Sequence, residues 1–88
     1  MKVTLKTVKS VLIKFDLDDE DLNLGKMKDE DFANLSFQND LMMDSLEFVL
    51  FQMEIEKECN VSLMGIPEQE LRQIDKVQDF ISLCEKYL

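Results

Sequence analysis

The sequence predicts an all-α fold, a small four-helix bundle with a short third helix and a long loop between the first two helices. With 88 residues, the chain suits a single domain with one core, which we expect to span residues 1–88. The chain contains only two glycines and one proline, so few positions suit the turns of tight β-hairpins. Apolar residues make up 45% of the chain and recur at three- and four-residue steps, the spacing of amphipathic helices.

The first helix is predicted over residues 3–15, where Leu5, Val8 and Leu12 fall on one face. The acidic run at residues 16–21 ends it, because charge this dense is not buried. Residues 16–43 are too long for a structureless loop in a compact domain. We therefore expect apolar side chains to hold this connection against the core, with a short helical turn near residues 29–35.

The second helix is predicted from Asp44 to about Cys59. Asp44 is a favourable N-cap, and Glu47, three residues later, completes a capping-box pattern. Asn60 suits the end of the helix, since asparagine tolerates the left-handed conformation found there.

The last two helices follow from similar signals. Pro67 suits the first position of a short third helix, in which Leu71 and Ile74 would be buried. Asp75 is expected to cap the fourth helix, with Gln78 at the capping-box position. The fourth helix carries a stripe of apolar residues: Val77, Phe80, Ile81, Cys84, Tyr87 and Leu88.

The second helix has more apolar surface than one buried face needs. At 100° per residue, a core stripe forms on one side: Phe48, Phe51, Ile55 and Cys59, with Gln52 close by. A second stripe lies nearly opposite: Leu46, Val49, Leu50 and Met53. Either the helix is buried nearly all round, or the second stripe is exposed and binds another protein. The glutamates at positions 47, 54, 56 and 58 favour exposure, because four buried acids would be costly.

The net charge of −9 excludes nucleic acid and anionic membranes as partners. Acids concentrate in residues 15–71, an arrangement that suits either solubility or steering toward basic protein patches. No apolar run is long enough to span a membrane, and the start of the chain lacks the pattern of a signal peptide. Cys59 and Cys84 fall in no metal or redox spacing. We expect a cytoplasmic protein with reduced cysteines.

Enzymatic and metal-binding functions are not expected. The chain has no histidine and no glycine-rich phosphate loop, so no nucleophile has a plausible base, and no catalytic residue is assigned. Asp16, Asp18 and Glu20 have the spacing of calcium ligands. However, Asp21 and Met27 stand where a calcium loop needs glycine and glutamate, so no metal site is predicted.

Two segments carry a resemblance to a known family. SFQNDLMMDSLEFV, residues 36–49, resembles the segment around the modified serine of acyl carrier proteins, in which Asp-Ser-Leu opens the second helix. Asp44, Ser45 and Leu46 match that signature. IPEQELRQIDKVQDFI, residues 66–81, is similar to the family's short third helix and the start of its fourth. The resemblance thus runs from Ser36 to the C-terminus. The first helix and the long loop before Ser36 agree with those of the family in length and pattern.

The resemblance implies a carrier with 4′-phosphopantetheine, derived from coenzyme A, attached covalently to Ser45 by a phosphopantetheinyl transferase. The arm would carry acyl groups as thioesters to the enzymes of fatty-acid, polyketide or related lipid synthesis. Acyl-transferring and chain-extending synthases with basic docking patches would be the partners of a monomeric carrier. Asp44 and Leu46 would flank the cofactor. The implied partner surface comprises Asp44, Leu46, Glu47, Val49, Leu50, Met53 and Glu54.

Some positions depart from the family pattern. Met42 and Met43 stand where the family usually has glycine and a small residue, and Leu50 stands where an acid is frequent. The methionines would line the space for the arm or simply pack. These departures leave open a housekeeping fatty-acid carrier or a specialised one. A non-covalent adaptor that uses the second stripe without an arm is the remaining alternative, and an unmodified Ser45 would then only help to cap the helix.

Overall fold

A computed structural model describes residues 3–15 and 23–88. These residues form five α-helices: α1 (Leu5–Lys14), α2 (Asp29–Ala33), α3 (Ser45–Cys59), α4 (Glu68–Arg72) and α5 (Val77–Tyr87). A short 3₁₀ turn spans Leu24–Lys26. The predicted all-α class is confirmed. The acidic run at residues 16–21, with the candidate calcium ligands, lies outside the described residues.

The long connection contains a helix of its own, so the described residues hold five helices where four were predicted. The predicted turn near residues 29–35 is α2. Asp29, Glu30 and Asp31 occupy its first turn, where carboxylates interact favourably with the helix dipole. Phe32 is fully buried. Together with Leu24, also fully buried, it holds the connection against the core as expected.

The three longer helices supply most of the fully buried side chains among the described residues. Val8 and Leu12 of α1, Phe51 and Ile55 of α3 and Phe80 of α5 have no solvent exposure. Both ends of α3 agree with the prediction: Asp44 is its N-cap, and Asn60 adopts a left-handed conformation with φ 53° as its C-cap.

The predicted cap of α5 is wrong. The helix begins at Val77, and the Asp79 carboxylate accepts the Lys76 backbone N–H at 3.0 Å, so Gln78 has no capping role. Asp75 instead accepts a hydrogen bond from the Ser36 hydroxyl at 2.7 Å. Ser36 is 94% buried, and a buried hydroxyl needs a partner more than an exposed helix end does.

A second boundary shifts by one residue. Pro67 immediately precedes α4 instead of occupying its first position. The predicted contacts of this helix, Leu71 and Ile74, are half-buried and pack against the core. The short helix therefore lies along the bundle without entering it.

Candidate functional site

The start of α3 is built by a reciprocal cap. The Asp44 carboxylate accepts the Glu47 backbone N–H at 2.7 Å, and the Glu47 carboxylate accepts the Asp44 backbone N–H at 3.3 Å. The predicted capping box is confirmed. It fixes Ser45 as the first residue of the helix.

Ser45 is exposed, and its hydroxyl forms no hydrogen bond within residues 3–15 and 23–88. Over the same residues, the backbone N–H groups of Ser45 and Leu46 donate to no protein atom, as expected for a helix start. Free N–H groups and the positive end of the helix dipole both stabilise a phosphate. A phosphate attached to Ser45 would find suitable donors here.

The segment before α3 is held in place by backbone hydrogen bonds near both of its ends. Ser36 and Lys76 pair as an isolated antiparallel bridge, and the Phe37 backbone N–H donates to the Asp75 carbonyl oxygen at 2.8 Å. The Met43 backbone N–H then donates to the Phe37 carbonyl oxygen, also at 2.8 Å. The position of Ser45 is therefore set by contacts with the segment that leads into α5.

The two methionines beside the site behave differently. Met43 is 5% exposed and packs in the core. Met42 is 79% exposed and has a φ of 54°, in the left-handed region that favours glycine. Glycine would adopt this backbone conformation without strain, whereas Met42 is strained and leaves a large apolar side chain in solvent.

The second stripe of α3 is exposed. The exposed fractions of Leu46, Val49, Leu50 and Met53 are 68%, 50%, 43% and 58%. The opposite side is buried: Phe51, Ile55 and Cys59 are at most 1% exposed, and Phe48 is half-buried. The interpretation in which α3 is buried all round is therefore wrong. A row of exposed apolar side chains is typical of a surface that binds another protein.

Most acids of α3 already have partners in the free protein. Glu47 belongs to the capping box, and Glu56 accepts the Leu63 backbone N–H at 2.8 Å. Glu58 forms an ion pair with Lys14, and the hydrogen bond from Lys14 lowers the pKa of the Glu58 carboxyl. Within the described residues, Glu54 makes neither a hydrogen bond nor an ion pair. It is the acid beside the second stripe with the most freedom to meet a partner's cation.

A cavity of about 470 Å³ opens beside Ser45, between α3 and α4. Its size is within the ~300–1,000 Å³ of small-molecule sites. Its apolar lining comprises Phe37, Met43, Phe48, Val49, Leu71 and Ile74. Polar and charged residues also line it: Gln38, Asp44, Ser45, Gln52, Glu68 and Arg72. Sequence reasoning did not identify this cavity, although Leu71 and Ile74 were expected to face the core.

The described residues offer no other chemically active centre. No group of three or more His, Cys, Asp or Glu side chains in residues 3–15 and 23–88 is placed to hold a metal ion. Cys59 and Cys84 are free and buried. Burial raises the pKa of the Cys84 thiol to about 11, so it is protonated and unreactive at neutral pH. Over the same residues, no helix is both long and apolar enough to cross a bilayer.

Comparison with known proteins supports the resemblance. An acyl carrier protein from Rickettsia bellii is 38% identical over 65 residues, which cover 74% of this chain and 76% of the relative. An acyl carrier protein from Porphyromonas gingivalis is 45% identical over 53 residues, which cover 60% of this chain and 64% of the relative. No protein-family model matches the chain.

The helical fold and the exposed Ser45 at a helix start are those expected of a small carrier domain. The chain belongs to the acyl carrier protein family. It is accordingly a carrier and not an enzyme. The family in general uses a phosphopantetheine group and interacts with synthases and transferases.

Proposed function

We propose that the Ser45 hydroxyl is esterified to 4′-phosphopantetheine and that the chain carries acyl groups as thioesters. The observation that carries the proposal is the exposed Ser45 hydroxyl, which makes no hydrogen bond within the described residues and stands in the Asp44-Ser45-Leu46 segment that resembles the family's signature. When bound, the arm supplies the thiol that holds the acyl group. The carrier would serve enzymes of fatty-acid, polyketide or related lipid synthesis, in the cytoplasm, where buried free thiols persist.

The residues around Ser45 suit a phosphate ester. The N–H groups of Ser45 and Leu46 are available to donate to its oxygens. The nearby carboxylates of Asp44 and Glu47 are each held by the other residue's backbone N–H, so the capping box satisfies part of their charge. Asp44 and Leu46 therefore act by fixing and flanking the attachment point.

We expect the base for attachment to come from the transferase. Ser45 Oγ would attack the phosphorus of coenzyme A that bears the pantetheine arm, forming an O–P bond. The P–O bond to the adenosine bisphosphate would break, and that group would leave. No side chain within the described residues hydrogen-bonds to the Ser45 hydroxyl, so the transferase would accept its proton.

The second stripe would be the partner-binding surface, together with Glu47 and Glu54. Its apolar side chains lie next to Ser45, so a partner that covers them also receives the arm. Because Glu47, Glu56 and Glu58 have partners within this chain, apolar contact would contribute more than charge. Acyl-transferring and chain-extending synthases would present a shallow apolar groove with a basic residue opposite Glu54.

Intact mass tests the attachment directly. The protein is incubated with coenzyme A and a promiscuous phosphopantetheinyl transferase, and we expect it to gain one phosphopantetheine. Ser45→Ala should abolish the gain. Ser82→Ala is the matched control, because Ser82 is also exposed and helical but lies in α5. An unchanged mass of the unmodified sequence with several transferases would contradict the proposal and favour the non-covalent adaptor.

A further inference from the structure

Met42 is the one apolar residue among the described residues whose backbone is left-handed. Three residues other than glycine in the ranges 3–15 and 23–88 have a positive φ: Asn23, Met42 and Asn60, at 48°, 54° and 53°. Asparagine tolerates this conformation because its short polar side chain can hydrogen-bond locally, whereas the Cβ of other residues crowds the backbone. The chain therefore carries strain at Met42 that it avoids at the other two positions.

The side chain of Met42 is not used by the core. It is 79% exposed and does not belong to the residues that pack against the buried cluster. Its neighbours Leu41 and Met43 are both buried, and their backbone N–H groups donate to the carbonyl oxygens of Ser36 at 3.0 Å and Phe37 at 2.8 Å. The backbone is thus fixed on both sides of Met42. A strained residue that the core does not need indicates a role in binding.

Met42 and the second stripe flank Ser45 from opposite sides along the chain. Met42 precedes Ser45 by three residues, so their Cα atoms lie within about 11 Å of each other. Leu46, the first residue of the second stripe, follows Ser45 directly and is 68% exposed. Met42 does not line the cavity beside Ser45, although Met43 does. A partner that covers Ser45 is therefore the ligand that Met42 is placed to meet.

We propose that Met42 is a docking residue for the phosphopantetheinyl transferase, which receives it in an apolar pocket beside its catalytic centre. The inference rests on the proposed attachment at Ser45. The transferase must bring the phosphorus of coenzyme A to Ser45 Oγ and so must cover the surface around that atom, whereas later enzymes act on the thiol at the far end of the arm. Met42 is the most exposed apolar side chain within three residues of Ser45. Its unbranched side chain adapts readily to a pocket.

Steady-state kinetics test this inference. The protein is modified by a promiscuous transferase with saturating coenzyme A, its own concentration is varied, and intact mass follows the product. Met42→Gly and Met42→Asn should each raise the KM for the carrier about tenfold with little change in kcat, because the lost contact is made on docking and kept in the transition state. Met42→Leu keeps an apolar side chain and should restore most of the loss.

Thermal unfolding of the same variants distinguishes docking from a structural role. Met42→Gly should raise the unfolding midpoint by roughly 4 °C, because glycine adopts the left-handed conformation without strain. Met42→Asn should raise it by less, and Met42→Leu should leave it unchanged. A gain in stability with a loss of affinity identifies a residue that serves binding, since the loss of a structural residue lowers stability.

Met64 provides the matched control, because it is also a methionine and is 91% exposed. It follows Leu63, whose backbone N–H donates to the Glu56 carboxylate at 2.8 Å. Glu56 lies roughly 16 Å from Ser45 along the axis of α3. Met64→Asn should therefore leave the KM for the carrier unchanged.

The possible results distinguish this inference from the proposed function. Loading of the unmodified sequence with the same KM in all the Met42 variants overturns the inference and leaves the attachment at Ser45 intact. A raised KM together with a lower unfolding midpoint in Met42→Gly and Met42→Asn also overturns it, because Met42 would then be a packing residue. Equal losses in Met42→Leu and Met42→Asn overturn the apolar contact. Failure to load the unmodified sequence with several transferases overturns the attachment itself and the inference with it.

Discussion

The two sides of α3 have similar composition but opposite surroundings. The core stripe is buried, with Phe51, Ile55 and Cys59 at most 1% exposed. The second stripe is at least as aliphatic, yet Leu46 is 68% exposed and Leu50 is 43% exposed. Hydrophobicity alone therefore does not decide which side packs. The bundle needs one apolar side of this helix, and the other remains available to a partner.

Polar contacts on the flanks of α3 fix which side of the helix faces the core. The ion pair between Lys14 and Glu58 links α1 to α3, and Glu56 holds the loop after α3 through the Leu63 N–H. A rotation of the helix that buried the second stripe would break these contacts and bury acids. The charged residues thus stabilise the orientation that leaves the apolar surface exposed.

Truncating a side chain on each side should give the largest contrast. Phe51→Ala should lower the free energy of unfolding by ~3–5 kcal/mol, because it removes a fully buried ring and leaves a cavity. Met53→Ala should change it by no more than about 0.5 kcal/mol, because Met53 is 58% exposed. Urea unfolding followed by circular dichroism measures both.

If Phe51→Ala does not fold, Ile55→Val provides the smaller core truncation, with an expected loss of ~0.5–1.5 kcal/mol. Similar losses from core-stripe and second-stripe variants would show that the stripes do not differ in burial in solution.

The sequence predicted the ends of α3 because its signals are local. Asp44 and Glu47 cap one end through bonds that span three residues, and Asn60 supplies a left-handed turn at the other. The error at Asp75 has a non-local cause. Its partner, Ser36, lies 39 residues away, so no local pattern could reveal that the carboxylate is engaged elsewhere. The capping rule failed where a buried hydroxyl competed for the same acid.

The cavity was missed for the same reason. Its lining comes from three separated segments, represented by Phe37, Phe48 and Leu71, and hydrophobic spacing within one helix does not show where two helices fail to close. The exposure of the second stripe was predicted correctly because its acid neighbours lie on the same helix. The prediction of a single domain over residues 1–88 stays a prediction, as do the roles of Ser45 and the partner surface.

The second stripe should matter for docking and not for folding. Leu46→Ala and Met53→Ala should each lower kcat/KM with a promiscuous transferase about tenfold, equivalent to ~1.4 kcal/mol, without changing stability. Steady-state modification rates, measured by mass, check this. Gln78→Ala, on an exposed side of α5, is the control and should have no effect.

Varying the ionic strength distinguishes apolar docking from charge-driven docking. If apolar contact dominates, kcat/KM should change little when salt is raised, whereas charge-driven docking slows steeply. Unaltered kinetics in both stripe variants, together with strong salt dependence, would contradict an apolar docking surface. Light scattering of the same samples tests the expectation of a monomer, since the stripe could instead pair two copies.

Asp44 should separate the structural role of the helix start from its recognition role. Asp44→Ala removes the side chain that caps the Glu47 N–H and should cost ~1 kcal/mol of unfolding free energy. Asp44→Asn retains a capping oxygen and should cost only a few tenths of that. Urea unfolding measures the difference. If both variants slow the transferase equally, the enzyme recognises the charge of Asp44. If only Asp44→Ala slows it, the enzyme depends on the geometry of the helix start.

The smallest effect should come from the ion pair that fixes the flank of α3. The hydrogen bond from Lys14 lowers the pKa of the Glu58 carboxyl in the folded protein below its unfolded value, which is about 4.3. A carboxyl with a lowered folded pKa stabilises the fold above its unfolded pKa, and this contribution is lost as pH falls through the folded pKa. Stability should therefore decline more steeply below about pH 5 in the unmodified sequence than in Glu58→Gln.

Urea unfolding at a series of acidic pH values measures that slope. Glu54→Gln is the control, because Glu54 lies on the same flank and interacts with Lys14 electrostatically without a hydrogen bond or ion pair in the described residues. High salt should reduce the difference, since Lys14 and Glu58 are both partly exposed. Equal slopes for Glu58→Gln and the unmodified sequence would mean that the ion pair contributes nothing in solution. The orientation of α3 would then depend on the core stripe, the capping box and the contact between Glu56 and the Leu63 N–H.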